Sequence, residues 1–265
     1  MTVTTGTRPA TLTRAVAPAF RVFRRELRVW LPDWRRHAVF SIAESTVAVI
    51  AFGILLGKYV TLPGGGRYID FVAPALVLGS CLQTVTLDGL YATRTNLYDR
   101  RLFESMLTAP LTIAQVIGGE LMWHAFRATF QGTIMAALFL AAGADFSPSI
   151  VLLPLLLAVA GPCFSAPAML WTSMSPKFTN LLYFNTLVVA PLYYLSGVFF
   201  PVDALPEAVR PLVQISPLYQ AIHVGRAIFA GHWDGQVAAH ALTFVVMAAA
   251  LMGLTITRFV HKMTD

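Results

Sequence analysis

Charge is scarce in this chain. Only 12% of its 265 residues are Asp, Glu, Lys or Arg, about half the roughly 25% of a soluble domain. Hydrophobic residues make up 57%, where soluble domains carry ~45–50%. Too little polar surface remains to coat a water-soluble particle of this size, which excludes a soluble enzyme or binding module. Cysteine is nearly absent. Cys81 and Cys163 both lie inside apolar runs, which rules out a disulfide framework or a zinc site and makes them small core residues. The six histidines, His37, His124, His223, His232, His240 and His261, lack metal-ligand spacing, and Ser, His and Asp are scattered without a nucleophile elbow. A phosphate loop is missing as well. In Gly53-Ile-Leu-Leu-Gly57-Lys58-Tyr59 the glycines are too close, Tyr59 stands where Ser or Thr would ligate magnesium, and the run ends an apolar span instead of following a strand. Gly53 and Gly57 read better as a small-residue surface for close helix approach. The chain carries no catalytic group, no metal site and no ATP site of its own that sequence can identify.

What is present is length of apolar sequence. The runs are continuous and do not alternate every second residue, so they span as helices and not as barrel strands. At about 20 residues per crossing, six transmembrane helices are predicted over 38–58, 69–93, 112–141, 149–173, 180–200 and 236–259. The fold class is an all-α integral membrane protein of one domain, without a linker, a low-complexity tract or a convincing internal repeat. The arginine-rich start is not followed by a short apolar core with a cleavage site, so the first span is expected to act as the insertion signal. A net charge of +6 might suggest nucleic acid, but the Lys and Arg residues sit at the ends of apolar runs, the pattern of membrane orientation. With both termini cytoplasmic, 14 of the 19 Lys and Arg fall inside, Lys58, Arg67, Arg210 and Arg226 fall outside, and Arg127 lies within a span.

Three segments lie outside these spans. Residues 1–13 are Thr-rich and expected to be disordered. Over 14–36, Phe20, Phe23, Leu27, Trp30 and Trp34 recur at 3-4-3-4 spacing with Arg21, Arg24, Arg25 and Arg28 opposite, and Pro32 and Asp33 interrupt the run. This predicts a basic amphipathic helix in the membrane interface, with an interaction arm as the alternative. Over 94–111, Asp99, Arg100, Arg101 and Glu104 place four charges in six residues, which forces the chain into water. Leu102, Phe103, Met106 and Leu107 make an apolar stripe on a short helix that Pro110 ends near Thr108. Such a helix either docks a partner or is an ordinary loop. Over 201–232, Pro201, Pro206, Pro211 and Pro217 bracket an apolar piece too short to cross. It predicts two short helices, about 204–214 and 217–230, folded back into the outer leaflet, or else a compact outer loop.

Four ionisable residues fall inside apolar runs: Glu44, Asp88, Glu120 and Arg127. Each costs roughly 2.5–3.5 kcal/mol on insertion scales, so each must face a cavity or another charge. Glu120 and Arg127 share a helical face but stand about 10 Å apart along the axis at 1.5 Å per residue, too far to pair. The four either line a polar path or brace the helices, for instance through Glu44 or Asp88 with Arg127.

Tyr68-Ile-Asp-Phe-Val-Ala-Pro74, Phe103-Glu-Ser-Met-Leu-Thr-Ala-Pro110-Leu, Val116-Ile-Gly-Gly-Glu120, Ser196-Gly-Val-Phe-Phe-Pro201 and Ile215-Ser-Pro-Leu218, in this order, resemble the ABC-2 type exporter permeases over nearly the whole chain. More narrowly, they resemble the NodJ-type branch, which includes exporters of nodulation lipo-oligosaccharides and is similar to the daunorubicin-resistance permeases. The resemblance implies a bacterial plasma-membrane subunit that pairs with a second copy of itself and with separate ABC ATPase subunits, on which ATP and magnesium would sit. It implies that Arg100 to Pro110 is a coupling helix in a groove of the ATPase, with Asp99, Arg100, Arg101, Phe103, Glu104, Ser105, Leu107, Thr108 and Pro110 as its contact residues. Phe20, Phe23, Arg24, Arg28, Trp30 and Trp34 would pack beside the same subunit, and the outer segment would cap the exit. The implied cargo is an amphipathic lipid, glycolipid, lipo-oligosaccharide or drug. Trp123, Phe126, Phe130, Tyr183, Phe184, Tyr193 and Tyr194 either line its cavity or pack between helices. An ATP-independent flippase or channel and a non-transporting scaffold are the competing classes.

Overall fold

The computed structural model describes residues 12–62, 65–202 and 205–264. The expectation for the N-terminal tail lies outside the described residues except at Leu12 and Thr13, which open the first helix. The described residues are helical throughout their regular elements, with no strand among them. Helix α1 is Leu12–Trp30, and a single 3₁₀ turn at Leu31–Asp33, set by Pro32, joins it to α2, Trp34–Ala48. That helix runs on through a π-wound stretch, Val49–Leu55, and a 3₁₀ turn, Leu56–Lys58. Helix α3 is Tyr68–Leu87, prolonged by π turns at Asp88–Ala92 and Thr95–Asp99. Then come α4, Leu102–Leu107, and α5, Ile113–Ala141. A 3₁₀ turn, Pro148–Leu152, leads into α6, Leu153–Met174. Helices α7, Phe178–Phe184, and α8, Ala190–Leu195, are joined by π turns at Asn185–Val189. The last three are α9, Arg210–Gln214, α10, Pro217–Ala230, and α11, Gly235–Thr264.

Five of the six apolar stretches are helical over nearly their whole length, and the fifth in order, 180–200, is helical to Leu195 and then bends over 196–200. Four helical runs are long and apolar enough to cross a membrane: Ala17–Lys58, Tyr68–Asp99, Pro148–Met174 and Gly235–Met263. Helix α5 has 29 residues, ample for a crossing, but Glu120, His124, Arg127 and Gln131 lower its apolar content. The α7–α8 path is continuous from Phe178 to Leu195, but Asn180 and Asn185 lower its apolar content.

Local chemistry sets the ends. At the start of α5, Thr112 Oγ1 accepts the Gln115 N–H at 3.3 Å and Gln115 Oε1 accepts the Thr112 N–H at 3.0 Å, a reciprocal cap that satisfies two otherwise free donors. Ser216 Oγ accepts the N–H groups of Leu218 and Tyr219, with Pro217 at the first helical position of α10, where its missing N–H costs nothing. That helix ends at Gly231, whose φ of 72° suits only a residue without a Cβ. The segment 201–232 is helical over Pro217–Ala230, the second of the two short helices read from the sequence. Its first helix is shorter than 204–214 because Pro211 sits at the first turn of α9, and the preceding residues 207–209 form turns.

The core lies among α3, α5, α6 and α10. Val72, Ala73, Ala75, Val77 and Leu78 of α3, Leu157 and Ala160 of α6, and Leu218 and Ile222 of α10 are buried to 1% exposure or less. Cys81 is a core residue as read from sequence, its Sγ donating to Ala128 O at 3.2 Å. Small residues permit these close approaches. A Cβ on Gly119 of α5 would lie 2.7 Å from the Ala19 carbonyl of α1, whereas one on Gly118 would meet only the Ala19 Cβ, at 3.6 Å. We therefore expect Gly119→Ala to force α1 off α5 and to cost about 1–3 kcal/mol, the usual range for overpacking. Gly118→Ala should leave the melting temperature in detergent unchanged, and equal melting of the two variants would contradict this packing.

Candidate functional site

The segment that leaves α3 for water is an amphipathic knob. Arg101, at φ 47° and ψ 36°, is the one non-glycine positive-φ residue among those described. That left-handed turn, strained by roughly 1–2 kcal/mol for an L-residue with a Cβ, swings the chain from the end of α3 into α4. Phe103 is 3% exposed and meets Phe259 of α11 at 6.2 Å between ring centroids. It belongs to a second core cluster with Leu97, Val116, Ile117, Leu121 and Met169. Burying such a ring contributes about 1.5–3 kcal/mol and roots α4 in the protein. Leu107 is half-buried beside it, while Asp99, Arg100, Arg101, Glu104, Ser105, Thr108 and Pro110 are exposed. Thr108 Oγ1 donates to Ser105 O at 2.8 Å and Ser105 Oγ to Arg101 O at 3.2 Å. The stripe read from the sequence is thus the buried face, and the charges are on the free one.

Three residues that periodicity does not flag hold this knob in place. Arg94 pairs with Asp99 at 2.7 Å and donates from Nε to Pro176 O, in the α6–α7 connection, at 3.0 Å. Lys262, near the end of α11, donates to Tyr98 OH at 2.9 Å and Ser173 O at 2.7 Å. Tyr98 OH in turn lies 3.3 Å from Thr172 O and 3.2 Å from Ser173 O. The segment from Arg94 to Leu107 is therefore tied to α6 and α11 across more than 70 residues of sequence, a separation that no local pattern reports. A charged donor on a carbonyl contributes about 1.5–3 kcal/mol, enough to make the segment move with those helices.

Helix α1 lies along the first half of α5. Ala19, Val22 and Trp30 are buried, and Trp30 stacks on His37 and meets Trp123, Phe126 and Phe130 edge-on at 5.1–6.2 Å. Phe23 meets Phe126 at 6.2 Å. Phe20 and Trp34 point outward at 48% and 47% exposure, and Arg24 and Arg28 are exposed. So Trp123, Phe126 and Phe130 pack between helices, and the aromatic stripe of α1 divides between the α5 contact and the outside. Glu26, next to its ion-pair partner Arg25, is raised above the ordinary carboxyl range by burial, against the opposing charges of Arg25 and Arg100.

The charges inside the spans separate. Arg127 Nε donates to Asp88 Oδ2 at 3.0 Å, one of the two pairings left open by the sequence. Glu120, His124 and Gln131 are 3%, 1% and 3% exposed and lie on the same face of α5 as Arg127, four, three and four residues apart. Glu120 Oε1, His124 Nδ1 and Gln131 Nε2 have no hydrogen-bond partner among the described residues. Glu44 joins neither group: it is exposed on α2, beside Phe40 and Val47 at 71% and 67% exposure. Either Asp88→Asn or Arg127→Met leaves a charge unpaired in the seam and should cost about 1.5–3 kcal/mol, read as a lower melting temperature in detergent. The exchange Asp88→Arg with Arg127→Asp should recover most of that loss, and single variants that melt like the parent would show that the pair braces nothing.

The pattern of the ABC-2 type transporter family matches residues 19–230. Nodulation protein J of Sinorhizobium fredii is 29% identical over 239 residues, which cover 88% of this chain and 91% of that protein. Nodulation protein J of Rhizobium meliloti is 30% identical over 210 residues, covering 79% and 80%. The inner membrane transport permease YadH of Escherichia coli is 25% identical over 210 residues, covering 79% and 82%. With a family match over most of its length and several helices fit to cross a bilayer, the chain is an integral membrane protein of the ABC-2 type transporter family, with a permease role.

Proposed function

We propose that this chain is the membrane subunit of an exporter in which a separate ATP-hydrolysing subunit docks on α4. The observation that carries the proposal is the build of that helix. It is rooted through Phe103, tied to α6 and α11 through Arg94, Tyr98 and Lys262, and bare at Glu104, Ser105 and Thr108. A free amphipathic tip on a rigid mount can pass a partner's closure into the bundle. Closure drives transport only if the partner binds one arrangement of the helices better than the other. The layout has six crossings with both termini and α4 on the cytoplasmic side, and α9 and α10 in the outer leaflet. ATP and magnesium belong to the partner. The relatives called nodulation protein J favour an amphipathic glycolipid or lipo-oligosaccharide as the cargo class, with other lipids and drugs as alternatives of the same chemistry.

A second copy of the chain completes the path. Glu44 is exposed among Phe40, Val47 and Ile50 on α2. An acid at that depth costs roughly 2.5–3.5 kcal/mol against lipid, which supports a protein surface there. Val47→Cys should cross-link to a dimer-sized band in native membranes, whereas labelling by lipid-soluble reagents without cross-linking would argue for a bare lipid face.

Glu104→Arg tests the docking. In vesicles containing the chain and its ATPase, this exposed substitution should lower ATP-driven transport about ten-fold or more, the effect of ~1.4 kcal/mol lost at a contact, with the melting temperature unchanged. Transport at the parental rate, or transport by the parent chain without any ATPase, would overturn the proposal.

A further inference from the structure

At the end of the bundle opposite α4, the start of α3, the α5–α6 connection and the end of α10 enclose a cavity of about 500 Å³. That volume suits a small ligand or a head group. Ser147 N–H donates to Phe229 O at 2.7 Å and Ser149 Oγ to Ile228 O at 2.9 Å, so the α5–α6 connection is pinned to α10 and the wall is continuous.

The wall has two electrical poles. At one, Arg67 donates to both oxygens of Asp70, at 2.8 and 3.0 Å, and pairs with Asp145 at 2.7 Å. The Asp145 N–H donates to Asp70 Oδ1 at 2.7 Å, which fixes the triad. One guanidinium between two carboxylates leaves a negative charge in excess, and the Asp145 side chain, 85% exposed, presents it to the cavity mouth. At the other pole stands Arg226 of α10. Its guanidinium carbon lies 4.0 Å over the Phe71 ring, its Nη2 donates to Gly197 O at 2.7 Å, and its Nε is buried without a hydrogen-bond partner. It has no ion pair among the described residues. Arg226 is a cation held by a ring and a carbonyl, with donors in reserve.

A purely anionic ligand would meet Asp145, and a purely cationic one would meet Arg226. A molecule carrying both charges satisfies both poles. The planar guanidinium fork matches phosphate oxygens, and a primary ammonium donates readily to a carboxylate. We propose that this cavity binds a zwitterionic phosphoethanolamine head group, its phosphate on Arg226 and its ammonium on Asp145. Two sources offer that chemistry: a bilayer phospholipid, or a cargo that bears the group. The site rests on the cavity alone and not on the export reading, and its test measures binding without transport.

The full chain in detergent is mixed with equimolar phosphatidylethanolamine and phosphatidylglycerol of the same acyl chains, and retained lipid is read by native mass spectrometry. Phosphatidylethanolamine should be retained about ten-fold over phosphatidylglycerol, the scale of one charged hydrogen bond. Asp145→Asn, at an exposed position, should bring the ratio close to one. Arg226→Lys, which keeps the charge but loses the fork, should weaken retention of both lipids. Equal retention by the parent chain overturns the proposal, as does a preference that neither variant moves. Free O-phosphoethanolamine then separates the sources. Displacement of bound lipid means that the head group suffices, as on a decorated cargo, and a lipid preference without displacement assigns the site to bilayer lipid; the site stands with either result.

Discussion

Hydrocarbon does not tolerate an unaccompanied charge, and the placement of the few charges in this chain follows from that constraint. Arg127 is inside because Asp88 is there to meet it. Most of the remaining cations gather at helix ends, and those at the C-terminal end of α3 build the exposed segment around α4. The charged knob around α4 is a consequence of the same rule. An apolar chain that must emerge between two crossings needs a short charged stretch, and a buried aromatic at Phe103 turns that stretch into a fixed projection instead of a free loop.

Rigidity at the knob comes from long-range ties. Arg94 reaches the α6–α7 connection, and Lys262 with Tyr98 reaches the end of α6, so three elements converge under α4. Helix α1 is clamped along α5 by the absence of a side chain at Gly119 and by the aromatic cluster around Trp30. A push on either α1 or α4 is thereby delivered to helices that carry the polar seam of Glu120, His124, Arg127 and Gln131. That seam holds buried polar atoms without partners, and such atoms make a packing interface costly to keep in a single arrangement.

Much of this was legible in the residues. The helical class, the apolar stretches, the stripe on α4 and the short helix over 217–230 all follow from run length, 3.6-residue periodicity and proline placement, which are local properties. Proline also marked the end of α4, where the helix closes at Leu107 with Thr108 as its cap. What could not be read was partnership across sequence. The sequence left Arg127 with two candidate acids, and nothing short of the fold chooses Asp88 over Glu44. Lys262 looked like a terminal cation of the sort found at any inner helix end, yet it bonds a residue 164 positions away. The stripe of α1 was read as one face, but packing on α5 selects Ala19, Val22 and Trp30 and leaves Phe20 and Trp34 outside, because Gly119 of α5 decides which side can approach.

The central claim is that the exposed tip of α4 meets a nucleotide-hydrolysing partner. Its most direct test places a cysteine at Ser105, exposed on that tip, and asks what a short bifunctional cross-linker captures in intact membranes. The account predicts one dominant adduct, with a soluble ATP-binding subunit, whose yield changes when ATP is bound. Capture from the outer side of the membrane, or no protein adduct under any nucleotide condition, would contradict it.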